Sequence, residues 1–494
     1  MKISVKKVPQ FLLIVCIACL ACAFKNGLKR NDIQRSSRDQ IHSLQGAIDR
    51  LILNFEPNAH IGIEIVSVKT GQKLYQKNAN QLFVPASNLK LFTGAAALAI
   101  LGQDYRFETR LLTDGDIRGN ILRGNLFLKG SGNPEFSLDH LEEMVFQLKL
   151  NQIEHISGDL IADNTDFDSI SQGPGWMWDE GAEYWNSPMD ALTVNHSCMK
   201  LWIRPASEVS RPPMVYIYPK TSYVSVQNSA LTVEKEGTLK VGRQGMAQQN
   251  VIEIKGSLPI KKTHQEYMVP VETPHLYAIH LLKDLLSKYG IRLDGSIKVQ
   301  QTPSSARIVA VHHSAPLGVM IRNMMKQSDN LAADCFFKKL GQTRYGSPGT
   351  WQNGGQAMKE FLTNQVGIDV SEMVMLDGCG LSRYNLVSPH QIASFLTWMQ
   401  KQHKFCAEFM SSLPIAGTDG YLKHRMKENN TRGNVRAKGG SMTGVTSLSG
   451  YVNTKDGDLL AFSIMINGFV KPIKDYKNQL EDQICLVLSQ FSYH

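Results

Sequence analysis

The sequence predicts an α+β protein in which a long β-rich insertion divides a domain of helices and strands. Its 494 residues exceed what one hydrophobic core usually supports, about 250 to 300 residues, so we expect two or three domains. Helical patterns flank the stretch from about 107 to 300, within which short alternating strands are broken by Gly, Asn, Asp and Pro. With 43% hydrophobic and 20% charged residues, the composition excludes disorder, collagen-like repeats and a polytopic membrane protein.

Hydrophobic periodicity predicts the elements that flank the insertion. The helix that starts at Asn88 is rich in Leu and Ala and has Pro85 just before it. The strands alternate with period two, and Lys69-Thr-Gly-Gln and Lys455-Asp-Gly-Asp supply turn signals after a strand. In chain order, the predicted elements are a helix over 41–55, a strand over 61–68, helices over 88–101, 317–340, 356–364 and 389–402, strands over 447–453 and 459–467, and a terminal helix over 475–491.

The first 23 residues have the pattern of a secretory signal. A basic start precedes an apolar run over 11–23, which is shorter than the ~20 residues that a membrane-spanning helix needs. Ala21-Cys22-Ala23 ends the run with a small-x-small cleavage pattern. We therefore expect an exported, periplasmic protein, and lipidation of Cys19 or Cys22 is the alternative.

The net charge of +9 is less informative than it looks. Lys2, Lys6 and Lys7 lie in the leader, which leaves +6 (9 − 3) on the rest of the chain. This excess is mild and diffuse, so it is compatible with an anionic polymer nearby and does not predict a nucleic-acid partner.

Five cysteines follow the leader, an odd number spread over nearly 300 residues. At least one thiol is therefore expected to be free, and no disulfide framework is expected to hold the fold together. They are Cys198, Cys335, Cys379, Cys406 and Cys485.

A Ser-x-x-Lys motif at Ser87 is the first candidate for chemistry. The motif also occurs at Ser4, in the leader, and at Ser197, among turn residues, where an exposed serine near a lysine is the simpler interpretation. Ser87 instead lies where a strand-rich segment passes into an apolar helix. At spacing i, i+3 the Lys90 amine can reach the Ser87 hydroxyl, and a desolvated lysine close to another cation has a lowered pKa.

Two further motifs complete a pattern. Ser328-Asp329-Asn330 alone is a helix N-cap, and Lys438-Gly439-Gly440-Ser441 alone is a glycine turn with a lysine. The order Ser-x-x-Lys, Ser-x-Asn, Lys-x-Gly, each at a strand or helix junction, is much rarer than any one element. Together the three predict a serine acyl-transfer site with a second hydroxyl and two cationic groups.

These motifs closely resemble those of the D-alanyl-D-alanine carboxypeptidase and endopeptidase family, the low-molecular-mass class C penicillin-binding proteins. The resemblance extends over about 40–470 and includes the string Asp377-Gly-Cys-Gly-Leu-Ser-Arg-Tyr-Asn. Other family-like strings are residues 84–93, 101–109, 124–134, 158–168, 174–179 and 413–420.

The resemblance implies a discontinuous fold. A serine penicillin-recognising peptidase domain, similar to β-lactamases and transpeptidases, is expected over 24–108 and 305–494. A β-rich domain II is expected over 109–304, with a domain III nested in it at about 165–255. This arrangement accounts for the 241 residues (328 − 87) between the first two motif serines.

The resemblance also implies the activity, which is hydrolysis of peptidoglycan stem peptides and cross-links through an acyl-enzyme that penicillins also form. Ser87 is the expected nucleophile and Lys90 its base, Ser328 and Lys438 assist the leaving amine, and Asn330 orients Lys90 or the substrate amide. Peptidoglycan peptides are the expected partners and β-lactam antibiotics the expected inhibitors, and no metal or organic cofactor is needed.

Substrate contacts are expected from a second set of residues, and two of them depart from the family pattern. Gly439 stands where the family usually has threonine, and Cys379 stands where it usually has serine. A threonine hydroxyl at 439 would bind the substrate carboxylate, so Gly439→Thr is expected to speed acylation by free-carboxylate substrates and penicillins; the alternative is that glycine gives the strand backbone room and that threonine would clash. The expected substrate contacts are Cys379, Arg383, Gly439, Gly440, Ser441 and, for the charged end of the peptide stem, Asp163.

Two other functions stay open at this point. A β-lactam hydrolase would share Ser87 and Lys90, but no compelling deacylating glutamate is present and the long insertion argues against it. A catalytically weakened cell-wall binding or scaffold protein is supported only by Gly439.

Overall fold

The structure, a computed structural model, describes residues 37–177, 183–243 and 250–493. The predicted leader, with Cys19 and Cys22, lies outside these ranges. Within them, no helix is long and apolar enough to cross a membrane. The five cysteines of the described chain are all free thiols, which confirms that no disulfide framework holds this part of the fold.

The elements alternate between helices and strands at both ends of the chain and are mostly strands in the middle. The first part contains α1 (residues 37–55), β1 (His60–Ser67), β2 (Lys73–Lys77) and α2 (Lys90–Ile100). The middle contains β3 (Glu108–Thr113), β4 (Asp116–Arg118), β5 (Ile121–Arg123), β6 (Leu126–Lys129), α3 (Leu138–Leu150), β7 (His155–Ile156), β8 (Leu160–Asp163), β9 (Cys198–Arg204), β10 (Met214–Tyr218), β11 (Ser225–Asn228), β12 (Leu231–Val233), β13 (Leu239–Arg243), β14 (Val251–Pro259), β15 (Gln265–Pro270), α4 (Pro274–Lys288), β16 (Arg292–Leu293), β17 (Ile297–Val299) and β18 (Arg307–His313). The last part contains α5 (Leu317–Gln327), α6 (Asn330–Tyr345), α7 (Trp351–Phe361), α8 (Pro389–Met399), α9 (Cys406–Ser412), β19 (Arg436–Met442), β20 (Val445–Asn453), β21 (Leu459–Asn467), α10 (Ile473–Tyr476) and α11 (Asp482–Gln490).

A five-stranded antiparallel sheet joins the two ends of the chain, in the order β19-β20-β21-β1-β2. Its strands are apolar on both sides because helices cover both faces. Helices α1 and α11 share one buried cluster with the sheet, and α2 and α8 share another with its opposite face. Edge strand β19, which carries the third motif, packs against the turn that carries Ser87.

The middle of the chain forms four further small sheets around its own buried core. Their orders are β17-β8-β6-β3-β18, β16-β7-β5-β4, β10-β9-β15 and β11-β14-β12 with β13 beside β14. Helices α3 and α4 also belong to this core, although the composition of this stretch predicted few apolar helices. The α+β class is confirmed, and the domain boundaries at 109–304 and about 165–255 stay a prediction.

Several helix boundaries differ from the sequence prediction for local reasons. The helix predicted over 317–340 is two helices, because Ser328 adopts a left-handed conformation (φ 59°) that ends α5 and the Asp329 side chain caps α6. The helix predicted over 356–364 begins at Trp351, where Thr350 and Asn353 form a capping box. The terminal helix contains a π-helical turn over Lys477–Glu481.

Candidate active site

Ser87 lies in a strained turn before α2. Ala86 has a φ of 48°, and a 3₁₀ turn over Ala86–Leu89 precedes the α-helix. A Cβ at Gly380 would lie 1.9 Å from the Ala86 carbonyl oxygen, so only glycine lets that loop approach the turn. Asn88 donates to the Ser447 hydroxyl, which in turn donates to the Pro85 carbonyl (2.7 Å). The turn is therefore held against β20.

The Lys90 amine is fully buried and faces three oxygen atoms. Its Nζ lies 3.0 Å from Ser87 Oγ, 2.6 Å from Asn330 Oδ1 and 2.7 Å from the Cys379 carbonyl. Burial lowers the pKa of Lys90, and the nearby acidic groups oppose that shift only in part. A neutral amine fits these neighbours, because it can donate to the amide and carbonyl oxygens and accept the Ser87 hydroxyl proton.

Lys438 and Ser328 form a second pair. Lys438 Nζ donates to Ser328 Oγ (2.8 Å) and to the Gly439 carbonyl (2.7 Å). The left-handed conformation of Ser328 places its hydroxyl at the end of α5, within reach of β19. Burial lowers the pKa of Lys438 well below its usual range, and repulsion from Lys90, when Lys90 is protonated, and from Lys477 lowers it further.

The residues after Ser328 connect the site to the middle of the chain. Asp329 caps α6 by accepting from the Ala332 N–H (3.0 Å), as the isolated motif predicted, and it also lies 2.8 Å from His196 Nε2. Asn330 uses its oxygen on Lys90 and donates through Nδ2 to the Trp185 carbonyl (2.9 Å). Residues from the β-rich stretch therefore help to position the second motif.

A cavity of about 590 Å³ opens over these side chains. Ser87, Ser328, Asn330 and Ser441 line it, whereas Lys90 and Lys438 lie beneath it. Residues 183–185, which are consecutive and exposed, supply the other wall, and no sequence motif predicted it. The one nearby signal was the family-like string over 174–179, which ends four positions before the wall begins. The wall residues are Glu183, Tyr184 and Trp185.

The residues that the sequence predicted as substrate contacts lie at different positions relative to the cavity. The Cys379 side chain is buried, so its contribution to the site is the carbonyl that contacts Lys90. Arg383 lies at the edge and donates to the carbonyl of Thr443, which lines the cavity (2.8 Å). Gly440 is required, because a Cβ there would lie 2.6 Å from the Ser87 nitrogen.

Asp163 is not brought to the cavity, which corrects the expectation that it contacts the peptide stem. It lies fully buried on β8, where it accepts from the N–H groups of Thr165 (3.0 Å) and Thr302 (2.8 Å) and lies 3.5 Å from Lys129 Nζ. Burial acts to raise the pKa of Asp163, but hydrogen bonds from the side chains of Thr302 and Thr165, and after them from their N–H groups, outweigh burial and lower the pKa. The Asp163 carboxylate therefore binds groups of the protein rather than the substrate.

The space beside Gly439 is filled, which overturns the expectation for Gly439→Thr. A Cβ at 439 would lie 2.0 Å from Tyr421 Oη and 2.2 Å from its Cζ. The Tyr421 hydroxyl is held there by Arg425 Nη1, which donates to it. A side chain at 439 must therefore displace a tyrosine ring that packs beside Lys438.

We expect Gly439→Thr to slow acylation by free-carboxylate and cross-linked substrates alike, by about tenfold or more, because overpacking typically costs about 1–3 kcal/mol and here distorts β19. Gly242→Thr is the matched control, since a Cβ at that strand glycine meets nothing within 4 Å. Stopped-flow acylation rates measure both variants. Faster acylation confined to free-carboxylate substrates would restore the original expectation.

Asp334 is a fully buried acid behind Lys90. Its Oδ1 accepts from the N–H groups of Gly378 (2.8 Å) and Cys379 (3.0 Å), so it holds the loop whose carbonyl contacts Lys90. Burial, and after it the charge of Asp377, raises the pKa of Asp334 to about 8. The group is therefore largely protonated at neutral pH.

We expect Asp334→Asn to flatten the dependence of stability on pH. An acid whose folded pKa of about 8 exceeds its unfolded value of ~3.9 contributes most below the unfolded pKa, and that contribution is lost as the pH rises toward the folded pKa. The amide oxygen of Asn keeps the two loop hydrogen bonds. Urea unfolding between about pH 4 and 9 measures the effect, and parallel profiles for the two proteins would contradict it.

Comparison with known proteins agrees with this geometry. The model of the D-Ala-D-Ala carboxypeptidase 3 (S13) family matches residues 44–490. The chain is 32% identical over 452 residues to a D-alanyl-D-alanine carboxypeptidase of an Actinomadura species, covering 88% of this chain and 82% of that one. It is 30% identical over 420 residues to the D-alanyl-D-alanine carboxypeptidase DacB of Haemophilus influenzae, covering 83% and 86%.

A solved structure shares the fold over nearly its whole length. The crystal structure of penicillin binding protein 4 (dacB) from Haemophilus influenzae superposes with a TM-score of 0.81 at 28% identity, covering 90% of this chain and 99% of that one. The same protein complexed with a β-lactam superposes with a TM-score of 0.76 at 27% identity, covering 89% and 97%.

Fold and site together define a serine peptidase of the penicillin-recognising class. The chain belongs to the D-Ala-D-Ala carboxypeptidase 3 (S13) family. It is therefore a serine-type D-alanyl-D-alanine carboxypeptidase, a hydrolase, as the sequence predicted.

Proposed function

We propose that Ser87 is the nucleophile and Lys90 the general base of this carboxypeptidase. The contact of the buried Lys90 Nζ with Ser87 Oγ, Asn330 Oδ1 and the Cys379 carbonyl carries the proposal. The two hydrogen-bond acceptors orient the amine, and burial lowers its pKa, which favours the neutral form that takes a proton. Asn330 and Cys379 act by positioning Lys90.

Acylation then proceeds in two proton transfers. Ser87 Oγ attacks the carbonyl carbon between two D-alanines while Lys90 takes its proton. As the C–N bond breaks, Ser328 relays the proton held by Lys90 to the leaving amine, so that Lys90 is again neutral and Ser328 keeps its hydroxyl proton, while Lys438 Nζ, 2.8 Å from Ser328 Oγ, stabilises that oxygen during the transfer. The N–H groups of Ser87 and Ser441, both at the cavity wall, stabilise the oxyanion, an interaction worth ~2.7 to 4 kcal/mol per donor. Water then hydrolyses the ester.

The same acyl-enzyme supports a wider range of substrates. A carbonyl in a D-configured peptidoglycan cross-link presents the same bond, so endopeptidase activity belongs to this proposal, and penicillins acylate Ser87. Penicillin binding protein 4 of Haemophilus influenzae has been solved as a complex with a β-lactam. A scaffold with a decayed site is disfavoured, because the buried contacts of Lys90 and Lys438 are intact.

The leader pattern supports export to the periplasm, where peptidoglycan lies. The domain boundaries at 24–108, 109–304 and 305–494, with the nested domain at about 165–255, belong to the same proposal. The buried core of the middle stretch supports the boundaries at 109 and 304, and the nested boundaries rest on the resemblance.

Labelling and product release test the activity together. Purified protein is incubated with a fluorescent penicillin and, separately, with a D-Ala-D-Ala peptide. Stable labelling with release of D-alanine is the expected result. Rapid turnover of the label would indicate a β-lactam hydrolase, and absence of label would indicate a scaffold.

Glu183 takes the place that the sequence assigned to Asp163, as the acidic contact for a charged peptide stem. It is exposed at the cavity wall. We expect Glu183→Gln to raise KM for stem peptides with a cationic end several-fold while kcat stays unchanged, because an exposed ion pair contributes about 0–1 kcal/mol to binding. Peptides that lack the cationic end give the control, and an equal change for both peptides would contradict the assignment.

A further inference from the structure

The three-stranded sheet of the β-rich stretch has an unusual outer face. Strand β9 lies between β10 and β15, and side chains that pair across the register share a face: Tyr216 with Trp202, and Tyr218 with Lys200 and Met268. Tyr216 is 53% exposed, Tyr218 46% and Met268 41%. Trp202 packs against Tyr218 with ring centroids 6.4 Å apart. We call Trp202, Tyr216, Tyr218, Met214 and Met268 the aromatic face.

The fold does not need this face. The opposite side of the same strands supplies the core, where Leu201 and Ile203 are fully buried and Val215 and Ile217 pack against them. An antiparallel sheet with one buried side ordinarily presents polar residues to water on the other. A cluster of exposed aromatic and Met side chains on the solvent side is instead typical of a binding surface.

The aromatic face is continuous with the active site. A second cavity, of about 340 Å³, is lined by Ser328 and Asn330 of the active site, by Tyr184 and Trp185, and by Met268 of the aromatic face. In the register of the sheet Met268 pairs with Lys200, and Lys200 pairs on its other side with Tyr218. A substrate held at Ser87 therefore has a path from the catalytic cavity onto this sheet.

We propose that the aromatic face binds the glycan strand to which the stem peptide is attached. This proposal rests on the proposed function, since it assumes that the peptide in the cavity belongs to peptidoglycan. Pyranose rings present flat C–H faces that stack on Tyr and Trp rings, while the indole and phenol polar groups hydrogen bond to sugar hydroxyls. The polymer backbone lies on β9 and β10 while its peptide enters the cavity past Met268.

The charges of the face fit a largely neutral polymer better than a nucleic acid. The Lys200 ammonium is paired with Glu266 (2.7 Å) and lies 4.7 Å from the centroid of the Trp202 ring. Arg204, opposite Met214 in the register, is the other cation of this face and donates to Met214 Sδ (3.9 Å), so that one of the two positive groups is neutralised and the face offers few cations to a phosphate backbone.

Binding to glycan strands stripped of their peptides tests the proposal without involving catalysis. We expect the full chain to bind these strands, and Trp202→Ala with Tyr216→Ala to weaken binding at least tenfold. The double variant should keep normal rates of penicillin acylation and of D-alanine release from a short peptide. Phe146→Ala is the matched control, because Phe146 is an aromatic residue 50% exposed on α3 and belongs to none of the strands of this sheet.

The outcomes separate this proposal from the proposed function. Unchanged glycan binding in the double variant would overturn it, as would the absence of binding by the parent protein, even if penicillin labelling is normal. A parent protein that self-associates in light scattering, with association lost in the double variant and no glycan binding, would assign the face to a second copy of the chain. Normal labelling of the double variant shows that it is folded, and Trp202→Phe should restore part of the binding.

Discussion

Replacing Ser87 with alanine is expected to abolish covalent labelling by penicillin and to reduce D-alanine release by roughly 10⁶-fold, the cost of removing the nucleophile in a serine hydrolase. The reason is chemical, because alanine has no oxygen to form the acyl-enzyme ester. The fold should be retained, since the turn is held by Asn88 and Ser447 and not by the Ser87 side chain. Gel fluorescence and intact-protein mass spectrometry measure the loss.

Ser197→Ala is the matched control for this experiment. Ser197 begins the other Ser-x-x-Lys motif in the described chain, but it lies buried in a turn while Lys200 points to the outer face of the sheet. Its variant should label normally. An acyl adduct mapped to Ser197, or to any serine other than Ser87, would show that the assignment of the whole site is wrong.

Replacing Lys90 with arginine is expected to slow acylation by orders of magnitude. Arginine keeps the positive charge, but its pKa above ~12 prevents it from accepting the Ser87 proton. The parent enzyme should gain activity as the pH rises through the lowered pKa of Lys90 and lose it as the pH falls, because the neutral amine is the active form. The variant should lack that dependence. Acylation rates measured across pH test both points.

Because Lys90 is fully buried, the bulkier arginine calls for a second variant. The Lys90→Met substitution introduces a side chain close to lysine in length. It removes the base without adding the N–H donors of a guanidinium group. Both variants should retain cooperative unfolding and lose acylation. Near-normal acylation in either folded variant would move the role of base to another group.

The sequence supplied the motifs because their geometry is local. The spacing of Ser87 and Lys90 at i, i+3 already placed one side chain within reach of the other, and their distance of 3.0 Å follows from it. The capping role of Asp329 is equally local. Only the break at Ser328, where a left-handed residue separates two helices, escaped the periodicity of the apolar residues.

The wall of the cavity shows the opposite case. Residues 183–185 carry no spacing or composition that marks them as part of a site, and they reach it because Asn330 binds the Trp185 carbonyl, 145 positions away. Asp163, in contrast, lies in a family-like string, yet its carboxylate is hydrogen bonded to Thr165 and Thr302 and paired with Lys129, so it does not face the cavity.

By itself, therefore, the sequence predicted the fold class from its periodicity and the family from the resemblance of its motifs, and the same motifs supplied the residues that we propose carry the chemistry. The tertiary structure alone decided what surrounds those residues. It brought Asn330 to Lys90 across 240 positions, and it filled the space beside Gly439 with Tyr421. The physical reason is that such contacts depend on how separate elements pack, and packing at a distance of a few ångströms is a property of the whole core rather than of any segment.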